Sequence, residues 1–391
     1  MKILMLASFA PSLVNFRGRL IQDMVAAGHK VTAAAPGANH EVASALKGFG
    51  AGYVPISMSR SKTNPLEDAL DLVKLWRLLR ELRPDLLFAY TIKPVIYGGL
   101  AARFSGVPKT FVMVTGLGQV FADDQRLKRR LLRGFVTTLY RQSLAKIQGA
   151  IFQNEDDLRA FRERRIIGEH QLATRVHGSG VDLDHFGFCQ APTSPPVFLL
   201  VARLLRAKGI ADYVAAARLL RERHPHAKFR LLGPIEPSAS GIAETELRAW
   251  QEEGVIDYLG ETSDVRPHLR ACSAFVLPTY YPEGLPRSLI EAMAIGRAII
   301  TTDVPGARDT VIAGENGYLV PIKAPEALAD AMARLIESPA RIVEMGKASR
   351  RMAAERYDVA TVNAAMLDAM GLTDKAVSSH STAHVARSQD S

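Results

Sequence analysis

The chain has 391 residues, 48% of them hydrophobic and 23% charged, with a formal net charge of +9. That length supports two domains of ordinary size with full cores, and no apolar run is long enough to span a membrane. The basic excess asks for an anionic partner; with no Cys/His finger and no basic-aromatic interleaving, an anionic membrane surface suits it better than nucleic acid.

The elements begin with a strand over Lys2–Ala7. This apolar run is short, and Phe9-Ala-Pro-Ser follows without a convincing cleavage site, so it reads as a strand and not as a signal peptide. A loop over Ser8–Asn15, a helix over Phe16–Ala27 and a strand over Lys30–Ala35 continue it. Strand, loop, helix and strand in that order open a parallel doubly wound domain. Pro65–Arg83 has the helical period, with Leu66, Leu70, Val73, Trp76 and Leu79 near one face. Pro84 stops it, and Asp85–Tyr90 is a buried strand. Lys93 lies just past the carboxyl end of that strand, where ligands gather in such sheets; it suits an acceptor phosphate, or is an ordinary surface lysine.

Thr110–Val114 is a further strand, followed by Thr115-Gly116-Leu117-Gly118. Gly-x-Gly with neither a third glycine nor an acid at the usual offset is not a dinucleotide fingerprint, so these residues read as a loop facing the interdomain cleft. Asp123–Gln148 is a basic helix in which Lys128, Arg129, Arg130 and Arg133 alternate with Leu127, Leu131, Leu132, Phe135 and Val136. Such a helix can lie on anionic lipid with its apolar side down; the plainer alternative is a core helix with a solvated basic face. A strand over Ala150–Gln153 and a basic helix over Glu155–Arg165 follow.

Thr174–Phe186 is a Gly-rich boundary in which Asp182 and Asp184 serve as turn and cap groups, and Gln190–Pro196 is a linker. The alternation then restarts, with strands over Val197–Ala202, Phe229–Gly233, Val255–Gly260, Phe275–Leu277, Ala298–Thr302 and Tyr318–Val320. The fold class is therefore α/β, two Rossmann-like doubly wound domains with a cleft between them. Arg203 and Lys208 follow the first of these strands; two cations there can neutralise a departing diphosphate as a metal would, unless both are merely solvated. Cys189 and Cys272 lie far apart without metal spacing, which fits a reducing cytoplasm.

The stretch Glu283-Gly-Leu-Pro-Arg-Ser-Leu-Ile-Glu291 comes after the strand-like run Ala274–Pro278. A helix beginning near Pro286 offers its first-turn amides and dipole to an anion, and Gly284 lets a ligand come close to the backbone. Leu285 lies between them. Glu283 and Glu291 can border one pocket, where carboxylates suit the hydroxyls of a ribose or a hexose. The competing description is an amphipathic helix with surface acids. A last helix near Asp358–Met370 precedes a polar segment at 373–391 that reads as a disordered tail.

Glu-x7-Glu with its Gly-Leu-Pro opening, together with Ala-Arg203-Leu-Leu-Arg-Ala-Lys208-Gly, resembles the sugar-donor site of the retaining glycosyltransferases of family 4. The resemblance implies GT-B architecture, two Rossmann-like domains facing a central cleft. It implies an acceptor-binding domain over 1–178, a nucleotide-sugar-binding domain over 179–357 and a helix over 358–372 crossing back to the first. Glu283 would face the donor sugar and Glu291 the ribose, with Arg203 and Lys208 clamping the diphosphate. Loops at Gly233-Pro234 and Gly260 would hold the nucleobase through backbone groups, and Gly18 would lie near the donor phosphate. The loop after Val114 lacks the histidine many members carry there.

Ser59-Arg-Ser-Lys-Thr-Asn-Pro65 and Thr115-Gly-Leu-Gly-Gln-Val-Phe121 resemble the subgroup that adds N-acetylgalactosamine to a diacetylbacillosamine-type sugar on undecaprenyl diphosphate. The expectation is a UDP-sugar donor, a polyprenyl-diphosphate-linked acceptor, no cofactor and no obligatory metal. The enzyme would sit peripherally on the cytoplasmic face of the membrane. A sugar-nucleotide epimerase of the same architecture and a non-catalytic sugar-nucleotide-binding protein are the rivals.

Overall fold

The computed structural model describes residues 1–58, 65–118, 121, 127–169 and 171–373. Most of the Ser59–Pro65 stretch, Gln119, Val120 and the segment 374–391 lie outside these residues. The chain divides into two compact units, Met1–Ser179 with Ala360–Ser391, and Gly180–Val359.

The first unit runs β1 Lys2–Leu6, α1 Pro11–Asn15, α2 Gly18–Ala26, β2 Lys30–Pro36, α3 His40–Gly48, β3 Gly52–Ile56 and α4 Pro65–Leu82. It continues with β4 Leu86–Tyr90, α5 Ile92–Ser105, β5 Lys109–Val114, α6 Leu127–Leu144, β6 Gly149–Phe152, α7 Glu155–Glu163 and β7 Leu172–Arg175. Its seven strands are all parallel, in the order β3-β2-β1-β4-β5-β6-β7. Helices cover both faces, so a central strand such as β4 is buried at every position and reads as one unbroken apolar run.

The second unit runs β8 Val197–Val201, α8 Ile210–Arg221, β9 Lys228–Leu232, α9 Glu244–Glu252, β10 Asp257–Tyr258, α10 Arg266–Arg270, β11 Ala274–Leu277 and α11 Arg287–Ile295. Then come β12 Ala298–Thr302, β13 Gly317–Val320, α12 Pro325–Glu337, α13 Pro339–Arg356 and α14 Val359–Ala369. The six parallel strands lie in the order β10-β9-β8-β11-β12-β13. Ala274 of β11 sits opposite Phe198 of β8 on one side and Ala298 of β12 on the other. α14 leaves this unit: Val362, Met366 and Leu367 join the core of the first, and Asn363 Nδ2 donates to Asp23 Oδ2 at 2.7 Å.

Three expectations need correction. Part of the expected loop at Ser8–Asn15 is helix α1, for which Pro11 is a ready first residue. The strand expected over Val255–Gly260 is reduced to the two residues of β10, because only these pair with β9 at the sheet edge. On α4, Leu75 and Leu79 are buried while Leu66, Leu70 and Val73 are exposed, so the expected stripe turns toward the core only in its later turns. Asp182 does act as a turn group, its Oδ1 accepting from the amides of Asp184 and His185. Among the described residues no helix is long and apolar enough to cross a membrane.

Candidate active site

In the second unit the strand order reverses between β8 and β11. The crevice outside the carboxyl ends of strands at such a reversal is where open α/β sheets take ligands. Arg203 and Lys208 follow β8, and Glu283 follows β11, so the topology brings both groups to that one edge.

Lys208 ends a 3-10 turn, Arg206–Lys208, and is buried. Its Nζ donates to Glu283 Oε1 and lies 5.4 Å from the centre of the Tyr281 ring. The hydroxyl of the buried Thr279 reaches the same carboxylate oxygen at 3.5 Å and the Ala207 carbonyl at 3.3 Å. The amide of Tyr280 also donates to the Ala207 carbonyl, at 2.8 Å, and Thr302 Oγ1 donates to the Thr279 carbonyl. These bonds sew the loop after β11 to the turn after β8. Gly209 makes the approach possible: at φ +74° a Cβ there would lie 2.0 Å from the Pro278 carbonyl oxygen. Gly306 does the same for the Glu283 loop, since its Cβ would lie 1.4 Å from the carbonyl oxygen of Gly284.

Arg203 is half-buried, and its Nη1 donates to Glu236 Oε2 at 2.9 Å. Arg206, one turn on, is held by Glu246 at 2.7 Å. Gly233 takes φ +141° against the Ala202 carbonyl, its amide donates to the Gly260 carbonyl at 2.8 Å, and its own carbonyl accepts from Tyr258 at 2.9 Å. Pro234 accepts from the amide of Leu204 at 2.9 Å. The loops carrying Gly233, Pro234 and Gly260 are thus tied to one another and to the segment bearing Arg203.

Pro286 is the residue before α11 and not its first member, and no side chain caps the helix. Leu285 is buried beside it. Glu291 lies in the second turn, where its Oε1 accepts from Arg287 Nε at 2.7 Å. Burial pushes the Glu291 carboxyl above its ordinary value, partly offset by the Arg287 guanidinium. Glu283 and Glu291 therefore each hold a different cation, Lys208 and Arg287. Glu236, Thr279 and Arg287 escaped the sequence reading. Only Arg287 left a signal, its four-residue spacing from Glu291.

In the first unit the order reverses between β1 and β4. Gly18 opens α2, packed 3.2 Å from the Phe49 ring as measured from a would-be Cβ. Its neighbour Arg17 is buried under the end of the sheet, donating to Met113 Sδ at 2.8 Å and lying 5.1 Å from the Tyr90 ring centre. Lys93 is neither solvated nor open: its Nζ donates to Asp68 Oδ1 at 2.8 Å. Thr115 is half-buried, and Gly116 and Gly118 both take positive φ. On α6, Arg130 is exposed and Arg133 half-buried, while the side chains of Lys128 and Arg129 lie outside the described residues.

Residues 2–154 match the model for glycosyl transferase 4-like domains, and residues 185–352 match glycosyl transferases group 1. The chain is 27% identical to the N,N'-diacetylbacillosaminyl-diphospho-undecaprenol alpha-1,3-N-acetylgalactosaminyltransferase of Campylobacter jejuni, over 86% of this chain and 90% of the relative. It is 23% identical to the UDP-Gal:alpha-D-GlcNAc-diphosphoundecaprenol alpha-1,3-galactosyltransferase of Escherichia coli, over 70% of this chain and 71% of that one. Among solved structures, sucrose-phosphate synthase from Thermosynechococcus elongatus superposes with a TM-score of 0.77 at 18% identity, covering 94% of this chain and 98% of the other. HepE from Anabaena in complex with UDP gives 0.73 at 18% identity, covering 95% and 100%. With a 4-like first half, a group 1 second half and this pair of parallel sheets, the chain belongs to the glycosyltransferases of the GT-B fold.

Proposed function

We propose that the protein moves an N-acetylhexosamine, N-acetylgalactosamine in the first instance, from a UDP-sugar to a saccharide carried on polyprenyl diphosphate, with retention at the anomeric carbon. It works from the cytoplasmic face of the membrane in the assembly of a bacterial glycan. The observation that carries this is the meeting of Lys208 and Glu283 where the strand order reverses. The two relatives whose names specify undecaprenyl-diphosphate-linked acceptors supply the substrate class.

Lys208 and Arg203 take the oxygens of the diphosphate, the N-terminal end of α11 adds its dipole, and the C1–O bond of the sugar breaks as negative charge gathers on the leaving phosphate. The acceptor hydroxyl attacks C1 from the face the diphosphate leaves, and its proton passes to the departing phosphate oxygen. No protein nucleophile and no metal is needed for that balance. When the diphosphate claims Lys208, the Glu283 carboxylate is released to accept hydrogen bonds from sugar hydroxyls. Glu291 accepts from the ribose. The loops around Gly233, Pro234 and Gly260 hold the base through the backbone, and Gly18, Thr115, Gly116 and Gly118 line the acceptor side.

The test is a panel of UDP-sugars with undecaprenyl-diphospho-saccharide acceptors, read by mass. A single added N-acetylhexosamine is expected. An isomerised nucleotide sugar formed without acceptor, or donor binding with no turnover, contradicts the proposal.

A further inference from the structure

Helices α4, α5 and α6 pack side by side in the first unit, with α5 in the middle. Each precedes the strand that follows it in a parallel sheet, so all three begin at the sheet's carboxyl edge. The side chains confirm the alignment: Lys93 joins the first turns of α5 and α4, and Arg103 Nη1 reaches Gln142 Oε1 at 3.3 Å near the far ends of α5 and α6.

Both outer helices expose large apolar residues at their leading ends. Leu66 is 78% and Leu70 59% exposed on α4; Leu131 is 67% and Phe135 62% exposed on α6. Each pair is four residues apart, so it stands on one helix face. Farther along the same outward faces come exposed arginines, Arg77 and Arg80 on α4 and Arg141 on α6. At 1.5 Å per residue, Leu70 and Arg77 are separated by roughly 10 Å along the axis. That is about the depth to which interfacial helices bury apolar side chains, with cations left at the phosphates. Neighbouring helices lie about 8–10 Å apart, which puts the two apolar tips roughly 20 Å from each other across α5.

We infer that this end of the first unit docks on the membrane through two apolar tips, those of α4 and α6, and not through α6 alone. The inference rests on the membrane-borne acceptor proposed above. The occupant is an anionic bilayer. α6 carries Lys128, Arg129, Arg130 and Arg133 with no acid in its length, and so supplies the charge attraction. Of the acids early in α4, Asp68 is taken by Lys93 and Asp71 by Ser57, while Glu67 is exposed. α4 therefore contributes apolar insertion and little charge. The two helices differ in what salt does to their share, because screening weakens the charge term and leaves burial of leucine intact.

The experiment sediments the full chain with vesicles of phosphatidylcholine alone or mixed with phosphatidylglycerol, at low and high salt. Wild type is compared with Leu66→Ser/Leu70→Ser and Leu131→Ser/Phe135→Ser. All four positions are solvent-exposed, and UDP affinity serves as the control for folding. The expected result is a loss of at least tenfold in vesicle partition for each pair, the α4 loss persisting at high salt. Full binding by the α4 pair while the α6 pair fails overturns the two-tip surface and leaves the membrane location standing. A wild-type protein that ignores both vesicles overturns the location itself. A wild-type dimer that either variant dissolves assigns these residues to a second copy and overturns the inference as well.

Discussion

Lys208 donates its ammonium hydrogen bond to Glu283, a residue 75 positions away in sequence and on a different strand's loop. The pair sits beside the end of α11, where a cation and a helix start converge. A buried ammonium held by a carboxylate has its position fixed before any ligand arrives, so less ordering is left for the moment of binding.

Removing that ammonium should cost the reaction far more than the fold. Lys208→Ala is expected to lower turnover by about a hundredfold, the usual loss when one preorganised charge-stabilising group is deleted. Steady-state rates on UDP-sugar, alongside a thermal melt, check this; near-normal turnover would place the diphosphate elsewhere.

Arg203 and Glu236 form a partly exposed pair, and such pairs are worth about 0.2–1 kcal/mol. A diphosphate must win Arg203 from that carboxylate. Glu236→Gln should therefore tighten UDP binding by a factor of roughly 1.4–5 at low salt, with the gain shrinking as salt rises. Calorimetric titration of UDP reads this directly, and weaker binding would mean that Glu236 itself holds the nucleotide.

Gly306 allows the Glu283 loop to lie where it does. An alanine there needs both a left-handed backbone and space already filled by the Gly284 carbonyl, with 1.4 Å between the atoms. Gly306→Ala should destabilise the protein by more than about 2 kcal/mol and displace the loop. Denaturant unfolding measures the first effect, and a matching loss of UDP affinity the second.

Glu291 has a pH signature. Its folded-state pKa is raised by burial, so the folded protein holds this proton more tightly than the unfolded chain does. Its contribution to stability therefore falls as pH rises from the ordinary value of 4.5 through the raised one. Glu291→Gln lacks this slope. The melting temperature of the variant minus that of wild type should rise between about pH 4 and pH 7; a difference that stays flat or falls would show that the Arg287 pair outweighs the burial. Turnover of the variant is expected to drop about a hundredfold through lost ribose positioning.

The parallel strands were legible because burial on both faces leaves continuous apolar runs: Leu86–Tyr90 and Ala298–Thr302 need no partner to be recognised. The helix after Pro286 announced itself by its proline and its acid spacing. α4 shows where legibility stops. It carries two apolar stripes of helical period, one through Leu75 and Leu79 and another through Leu66, Leu70 and Val73, and nothing local says which one faces the sheet. Arg17 is the harder case, since an arginine between Phe16 and Gly18 gives no sign that it will be buried against Met113 and Tyr90. The site was legible as residue types, not as pairings. Which carboxylate each cation would meet depends on the strand order, and that is set by packing across the whole unit.

The most direct measurement is a crystal structure with UDP bound. The expected result places diphosphate oxygens within hydrogen-bonding distance of Lys208 Nζ and Arg203, with the Lys208–Glu283 and Arg203–Glu236 bonds opened to admit them. Nucleotide bound away from the carboxyl ends of β8 and β11, with both ion pairs intact, would contradict it.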